Sequence, residues 1–233
     1  MIVKVCGMRD ADNIREVEKL FTIHFLPFTF YMGFIFWPKS SRYVSERPAY
    51  LPTKCKRVGV FVDADLEEVM QKVEEYALDV VQLHGHETPD YIRTLRVDAG
   101  FPAVIKAFNI ATAADLKTTK PYEGIVDYFL FDAKGKSVGG NGEKFDWTVL
   151  ADYTGETPFL LSGGIGPDDT EIVNSLHIAT RSKRELSTVN SKCIGIDLNS
   201  RFETAPALKD VAALRSFFSQ LSHSFQNSHN NYE

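Results

Sequence analysis

Cysteine is scarce in this chain, and basic charge is in the minority. The three cysteines among 233 residues are Cys6, Cys55 and Cys193, an odd count without a CxxC spacing. That excludes a disulfide framework and gives no zinc signature, so no metal is expected. A reducing cytoplasm is the natural compartment. Lys and Arg number 26 against 31 acidic residues, a formal net charge of −5. Nucleic-acid partners usually need a basic face, so none is expected. An anionic small molecule stays open, because a few local donors can hold a phosphate. Residues 1–9 lack the length and order of a signal peptide. One stretch, Leu20 to Trp37, has no formal charge, and its length raises the question of a membrane span. Pro27 interrupts it, and its second half, FYMGFIFW, is aromatic and β-branched like a buried strand. Lys19 and Lys39 flank it on both sides and give no orientation. The expectation is therefore no membrane partner.

What remains is a chain of ordinary globular composition, 44% hydrophobic and 24% charged. Short apolar runs alternate with amphipathic ones. The strand candidates are 2–6 (IVKVC), 31–36 (YMGFIF), 57–62 (RVGVFV), 79–84 (DVVQLH), 103–108 (AVIKAF), 126–131 (VDYFLF), 158–162 (PFLLS) and 193–198 (CIGIDL). Most are continuously apolar, as parallel strands covered on both faces should be. Between them, Leu66, Val69, Met70, Val73 and Ala77 follow helical spacing over 65–77. Asp65 can cap that helix, and Glu68 completes a capping box. Residues 10–20 and 208–221 also present one apolar side each. Eight β runs alternating with helical runs predict an α/β fold, a (β/α)8 TIM barrel in a single domain over 1–221. A doubly wound sheet is the alternative. Residues 222–233, rich in Ser, Asn and His, are expected as a flexible tail. Segments 21–30 and 177–192 lengthen two helix-to-strand links, on the face away from a barrel's active site.

Catalysis in such a barrel sits at the C-terminal strand ends. Cys6 in KVCGMR is either a buried core thiol or a base. Its unperturbed pKa of about 8.5 leaves a few per cent thiolate at neutral pH, and modest tuning raises that. Asp132 closes the apolar run YFLF, where an unpartnered carboxylate is costly. It is a cap or ion pair, or a general acid. Holding a proton near pH 7 from a reference of about 3.9 would cost about 4 kcal/mol. Gln82 and His84 in VVQLHG share one strand face, which suggests binding. Arg42 in WPKSSRYV is a solvated charge or a guanidinium fork for a carboxylate. SGGIG (162–166) and NSRFE (199–203) follow the seventh and eighth strands, the usual place of a barrel phosphate site. Gly163, Gly164, Asn199 and Ser200 are its candidate residues. GGNG (139–142) reads as a lid.

KVCGMR, GFIFWPKSSRYVS, RVGVFV, DVVQLHG, VIKAF, FLFD, GGNGEKFDW, LLSGGI and GIDLNSRFE occur here in order, and together they resemble the phosphoribosylanthranilate isomerase family. The resemblance runs from residue 3 to about residue 210. It implies the Amadori rearrangement of N-(5-phosphoribosyl)anthranilate to the carboxyphenylamino-deoxyribulose phosphate, a step of tryptophan biosynthesis. It further implies Cys6 as general base, Asp132 as general acid and Arg42 on the anthranilate carboxylate. His84 and Asp197 match substrate-contacting positions, and the SGGI and NS segments match the phosphate site. No cofactor is implied, and the chain is expected as a monomer or homodimer. Two departures stand out: GGNG for the family's GGTG, and NSRFE for its SSGVE, which puts Arg201 where the family has glycine.

Three rival readings differ in the residues they require. A phosphosugar isomerase of the histidine-biosynthesis type would carry an Asp in place of Cys6. A catalytically silent phosphate-binding barrel has no use for Cys6 together with Asp132. A membrane-attached protein rests on residues 20–37 alone.

Overall fold

The computed structural model describes residues 1–23, 28–97, 100–133, 147–174 and 192–230. Eight parallel strands follow one another around a closed barrel. They are β1 (Ile2–Val5), β2 (Thr29–Ile35), β3 (Lys56–Phe61), β4 (Val80–Leu83), β5 (Ala103–Ile110), β6 (Tyr128–Ala133), β7 (Phe159–Ser162) and β8 (Cys193–Leu198). β8 pairs with β1, with Lys4 opposite Asp197. This closure overturns the doubly wound alternative.

Alternation explains why both faces of each strand are apolar. Ile2, Val58, Val60, Ile105, Leu130 and Leu160 point inward and pack together inside the barrel. Their neighbours Val3, Val81, Phe129, Phe131, Leu161 and Ile196 point outward, into the larger core under the helices. A strand buried on both sides needs both parities apolar.

The helices hold this outer layer. In α1 (Ala11–Ile23), Asn13 N–H donates to Asp10 Oδ1 at 2.8 Å and caps the first turn. In α2 (Leu66–Tyr76), Asp65 occupies the cap position but makes no side-chain cap bond, so the expected capping box is not formed. In α3 (Pro89–Leu95), Thr88 Oγ1 accepts from Tyr91 N–H, and Pro89 sits in the first turn. β5 and β6 are followed by 3-10 helices instead, Asp115–Tyr122 and Trp147–Asp152. Pro121 lies inside the first of these. Residues 170–174 are helical after β7. The chain ends in a hairpin, β9 (Glu203–Ala205) with β10 (Leu208–Lys209), and then α4 (Val211–Asn230).

Three boundaries differ from expectation. α1 runs to Ile23 and β2 begins at Thr29, so residues 21–23, 29 and 30 of the link expected over 21–30 belong to regular elements. Leu208 and Lys209 are strand, and the last helix starts at Val211. That helix runs to Asn230, and so includes residues 222–230 of the segment 222–233. In the apolar run ending at Trp37, Leu20, Phe21, Phe30, Tyr31, Met32, Phe34 and Phe36 are buried. Phe21 stacks on Phe30 at 4.2 Å between ring centroids, and Phe218 of α4 lies 5.6 Å from Phe30. No helix among the described residues is long and apolar enough to cross a membrane. Residues 139–142 and 177–191 lie outside the described residues.

Candidate active site

Inward positions are mostly apolar through the barrel, Lys4 and Gln82 excepted, and become polar at its C-terminal end. The last inward residues are Cys6, His84, Asn109, Asp132, Ser162 and Asp197, and all six line one cavity of about 460 Å³. Loop residues complete it, and the ten expected site residues are all on its wall: Cys6, Arg42, Gln82, His84, Asp132, Gly163, Gly164, Asp197, Asn199 and Ser200. Parity alone would have found Asn109 and Ser162, which the motif reading passed over.

The floor carries a buried ion pair that the sequence did not disclose. Lys4 Nζ donates to Asp197 Oδ1 at 2.9 Å, with the lysine side chain fully buried. Ser162 Oγ donates to the other oxygen, Oδ2, at 3.2 Å. Both oxygens of Asp197 therefore have partners within the chain. Cys6 stands one inward position above Lys4. Burial pushes its thiol above the ordinary value and the Lys4 charge pulls it back, while Asp197 works with burial. The net direction is upward, against the tuning expected from sequence. The Lys4–Asp197 pair sets much of the field this thiol feels.

On the far wall, His84 Nε2 lies 3.8 Å from Asp132 Oδ2. Gln82 Nε2 is 3.3 Å from His84 Nδ1. Burial pushes the His84 pKa down, and Asp132 opposes it without reversing the direction. Burial thus favours the neutral imidazole over the charged one at this position.

Arg42 reaches the cavity from the loop after β2. Its Cδ lies 2.6 Å from where a Cβ on Gly7 would stand, and Gly7 has φ of 79°. Glycine is required there for both the conformation and the close approach. The guanidinium is already engaged: Nε donates to Glu203 Oε1 and Oε2 at 2.9 and 3.0 Å, and Nη2 to Oε2 at 2.6 Å. Burial pushes the Glu203 carboxyl up, but hydrogen bonds from Arg42 and Lys209 outweigh it and hold the group below the usual range. Neither Glu203 nor Lys209 was singled out from sequence. Their significance depends on Arg42, 161 residues from Glu203.

Another part of the wall is built from backbone. Gly163 and Gly164 have φ of 94° and 73°, the left-handed region that other residues enter only with strain. Their N–H groups have no hydrogen-bond partner among the described residues. Ser200 opens a 3-10 turn, Ser200–Phe202, across from them. Arg201 lies over loop 7: its Nε and Nη2 are 3.1 and 3.3 Å from the Cβ position of Gly166. It lines the same cavity, and makes no ion pair among the described residues.

One wall thus offers a thiol above a lysine and the facing wall a carboxyl group beside a histidine, with an arginine and backbone N–H groups as donors for anions. The chain is similar to known proteins over nearly its whole length. A family model describing N-(5'phosphoribosyl)anthranilate (PRA) isomerase matches residues 3–220. An N-(5'-phosphoribosyl)anthranilate isomerase of Phocaeicola vulgatus is 48% identical over 226 residues, covering 97% of this chain and 100% of the relative. One of Parabacteroides distasonis is 44% identical over 229 residues, covering 96% and 94%. Among solved structures, phosphoribosyl anthranilate isomerase from Thermus thermophilus superposes with a TM-score of 0.71 at 28% identity, covering 96% of this chain and 99% of that one. A phosphoribosyl anthranilate isomerase in complex with reduced 1-(o-carboxyphenylamino)-1-deoxyribulose 5-phosphate gives 0.70 at 25% identity, covering 96% and 100%. With a match from Val3 almost to the end of the barrel, the chain belongs to the N-(5'-phosphoribosyl)anthranilate isomerase family.

Proposed function

We propose that the chain catalyses the Amadori rearrangement of N-(5-phosphoribosyl)anthranilate in tryptophan biosynthesis, with Asp132 as general acid and Cys6 as general base. Asp132 gives a proton to the ribose ring oxygen. The C1–O bond breaks as the anthranilate nitrogen lone pair forms a Schiff base. Cys6, as thiolate, then removes the proton from C2, and the electrons of that C–H bond neutralise the iminium to give an enolamine. Loss of the proton on the C2 hydroxyl and protonation at C1 yield the aminoketone.

The observation that carries this reading is the position of Cys6, directly after β1, and Asp132, on β6, facing one cavity. An acid and a base must act at different atoms of one sugar, so they must not neutralise each other. The donors for anions fit the two charged ends of the substrate. Arg42 would meet the anthranilate carboxylate. The N–H groups of Gly163, Gly164, Asn199 and Ser200 would hold the phosphate. Gln82, His84 and Asp197 would line the sugar between them.

The test is an anthranilate-fluorescence assay with freshly made phosphoribosylanthranilate. Fluorescence should fall with enzyme concentration, and the product should be the carboxyphenylamino-deoxyribulose phosphate. Folded protein that leaves the decay at its uncatalysed rate would overturn the reading.

A further inference from the structure

We propose that Glu203 is a positioning residue that aims Arg42 at the carboxylate of the substrate; this rests on the reading of Arg42 given above. A lone arginine in a loop samples many rotamers, and a fork that must meet a planar carboxylate gains from being held. Glu203 takes Nε and one edge of Nη2, which leaves Nη1 and the second Nη2 hydrogen for a ligand. Arg42 keeps 21% of its side chain exposed, while that of Glu203 is only 5% exposed.

The carboxylate of Glu203 is itself fixed from a second side. Lys209 Nζ, fully buried, donates to its Oε1 at 2.6 Å, and Ala207 N–H donates to the same oxygen at 3.3 Å. Lys209 is pinned in turn. Its N–H donates to Asn13 Oδ1 at 2.8 Å, and its carbonyl accepts from Asn13 Nδ2 at 2.9 Å. Its Nζ also donates to Asn199 Oδ1 at 2.9 Å. The chain of contacts therefore runs from α1 through the β9–β10 hairpin to Arg42. Two cations around one anion leave a single net positive charge, which matches one incoming carboxylate. A purely structural ion pair would need neither the second cation nor the cavity-facing edge.

The experiment compares the parent enzyme with Glu203→Gln, Arg42→Ala and the double variant. Each is assayed for kcat and KM, and for binding of two reduced product analogues, one with the benzoate carboxylate and one without it. Glu203→Gln should raise KM and weaken the carboxylate-bearing analogue about fivefold to tenfold, with kcat within about twofold, the size expected for loosening one charge-assisted pair. Binding of the carboxylate-free analogue should be unchanged, and Glu203→Gln should add nothing on the Arg42→Ala background. Equal loss of both analogues, or a loss that persists without Arg42, would overturn the proposal. If Arg42→Ala itself fails to discriminate the analogues, the reading of Arg42 falls first. Should Glu203→Gln not fold, Glu203→Asp retains the charge at shorter reach, and the same comparison of analogues decides.

Discussion

Lys4 and Asp197 are register neighbours on β1 and β8 and meet at 2.9 Å inside the barrel, beneath the thiol of Cys6. Each partner is a poor core residue alone, and together they cancel. Lys4→Met should therefore cost about 3–5 kcal/mol, because it strands the Asp197 charge. Replacing both, as Lys4→Met with Asp197→Leu, should recover much of that loss. Urea unfolding of the three variants measures it. A Lys4→Met protein as stable as the parent would show that the pair does not carry its buried charges in the folded state.

The raised thiol of Cys6 has a direct kinetic consequence. A base must be deprotonated to act, and this group is mostly protonated at neutral pH, since burial outweighs the help of Lys4. Because Asp132 must keep its proton while Cys6 loses one, the gain in thiolate on raising the pH is offset by the loss of the acid, so kcat/KM should be nearly flat wherever Asp132 is ionised and Cys6 still protonated; a slope near one there would show that Asp132 is not the general acid. Cys6→Ser should lose about 10²–10⁴-fold in turnover and still bind product analogue. Near-normal kcat in that variant removes Cys6 from the mechanism.

His84 gives a stability signature. Its folded pKa lies below the ordinary value, with burial as the main cause. Above that ordinary value, about 6.5, the ring is neutral in both states and contributes no slope. As pH falls below it, the unfolded chain takes up a proton that the folded chain resists, so stability is lost toward the folded pKa. His84→Gln should flatten this part of the curve. Thermal midpoints measured across pH 7.5 to 5, a window of roughly two units around that value, would expose the difference. Parallel curves for parent and variant would mean that His84 titrates in the barrel as it does in water.

Much of this was written in local sequence. Continuous apolar runs marked eight strands because both of their faces are covered, and the closed barrel follows their order. Cys6, His84 and Asp132 were visible because each interrupts an apolar run where a strand ends. Lys4 was not, because its burial depends on Asp197, which is 193 residues away. Glu203 was hidden for the same reason: NSRFE reads as a phosphate loop until Arg42 is seen folded across Gly7. Asp65 shows the converse case. Its residue type and position suit a cap, yet the side chain makes no cap bond, since the position alone does not set its rotamer.

Arg201 offers the last test, at the phosphate end. Where the family has glycine, this chain places a guanidinium against Gly166, on the wall that also carries Gly163 and Gly164. The backbone donors need no side chain, so the site should still hold an anion in Arg201→Gly. What the arginine adds is a charge on an exposed side chain, and such contacts are weak and screened. Inhibition by inorganic phosphate should weaken about threefold to fivefold in Arg201→Gly at low ionic strength, and by less at about 1 M salt, where the screening length is near 3 Å. Equal inhibition of parent and variant at low salt would mean that Arg201 points its charge elsewhere when an anion is bound. Crystals soaked in sulfate or product analogue probe the backbone part separately. The anion should lie between the N–H groups of Gly163–Gly164 and those of Asn199–Ser200. An empty site there, with the anion held at another part of the mouth, would sink the phosphate assignment and leave Arg42 at the wrong end of the substrate.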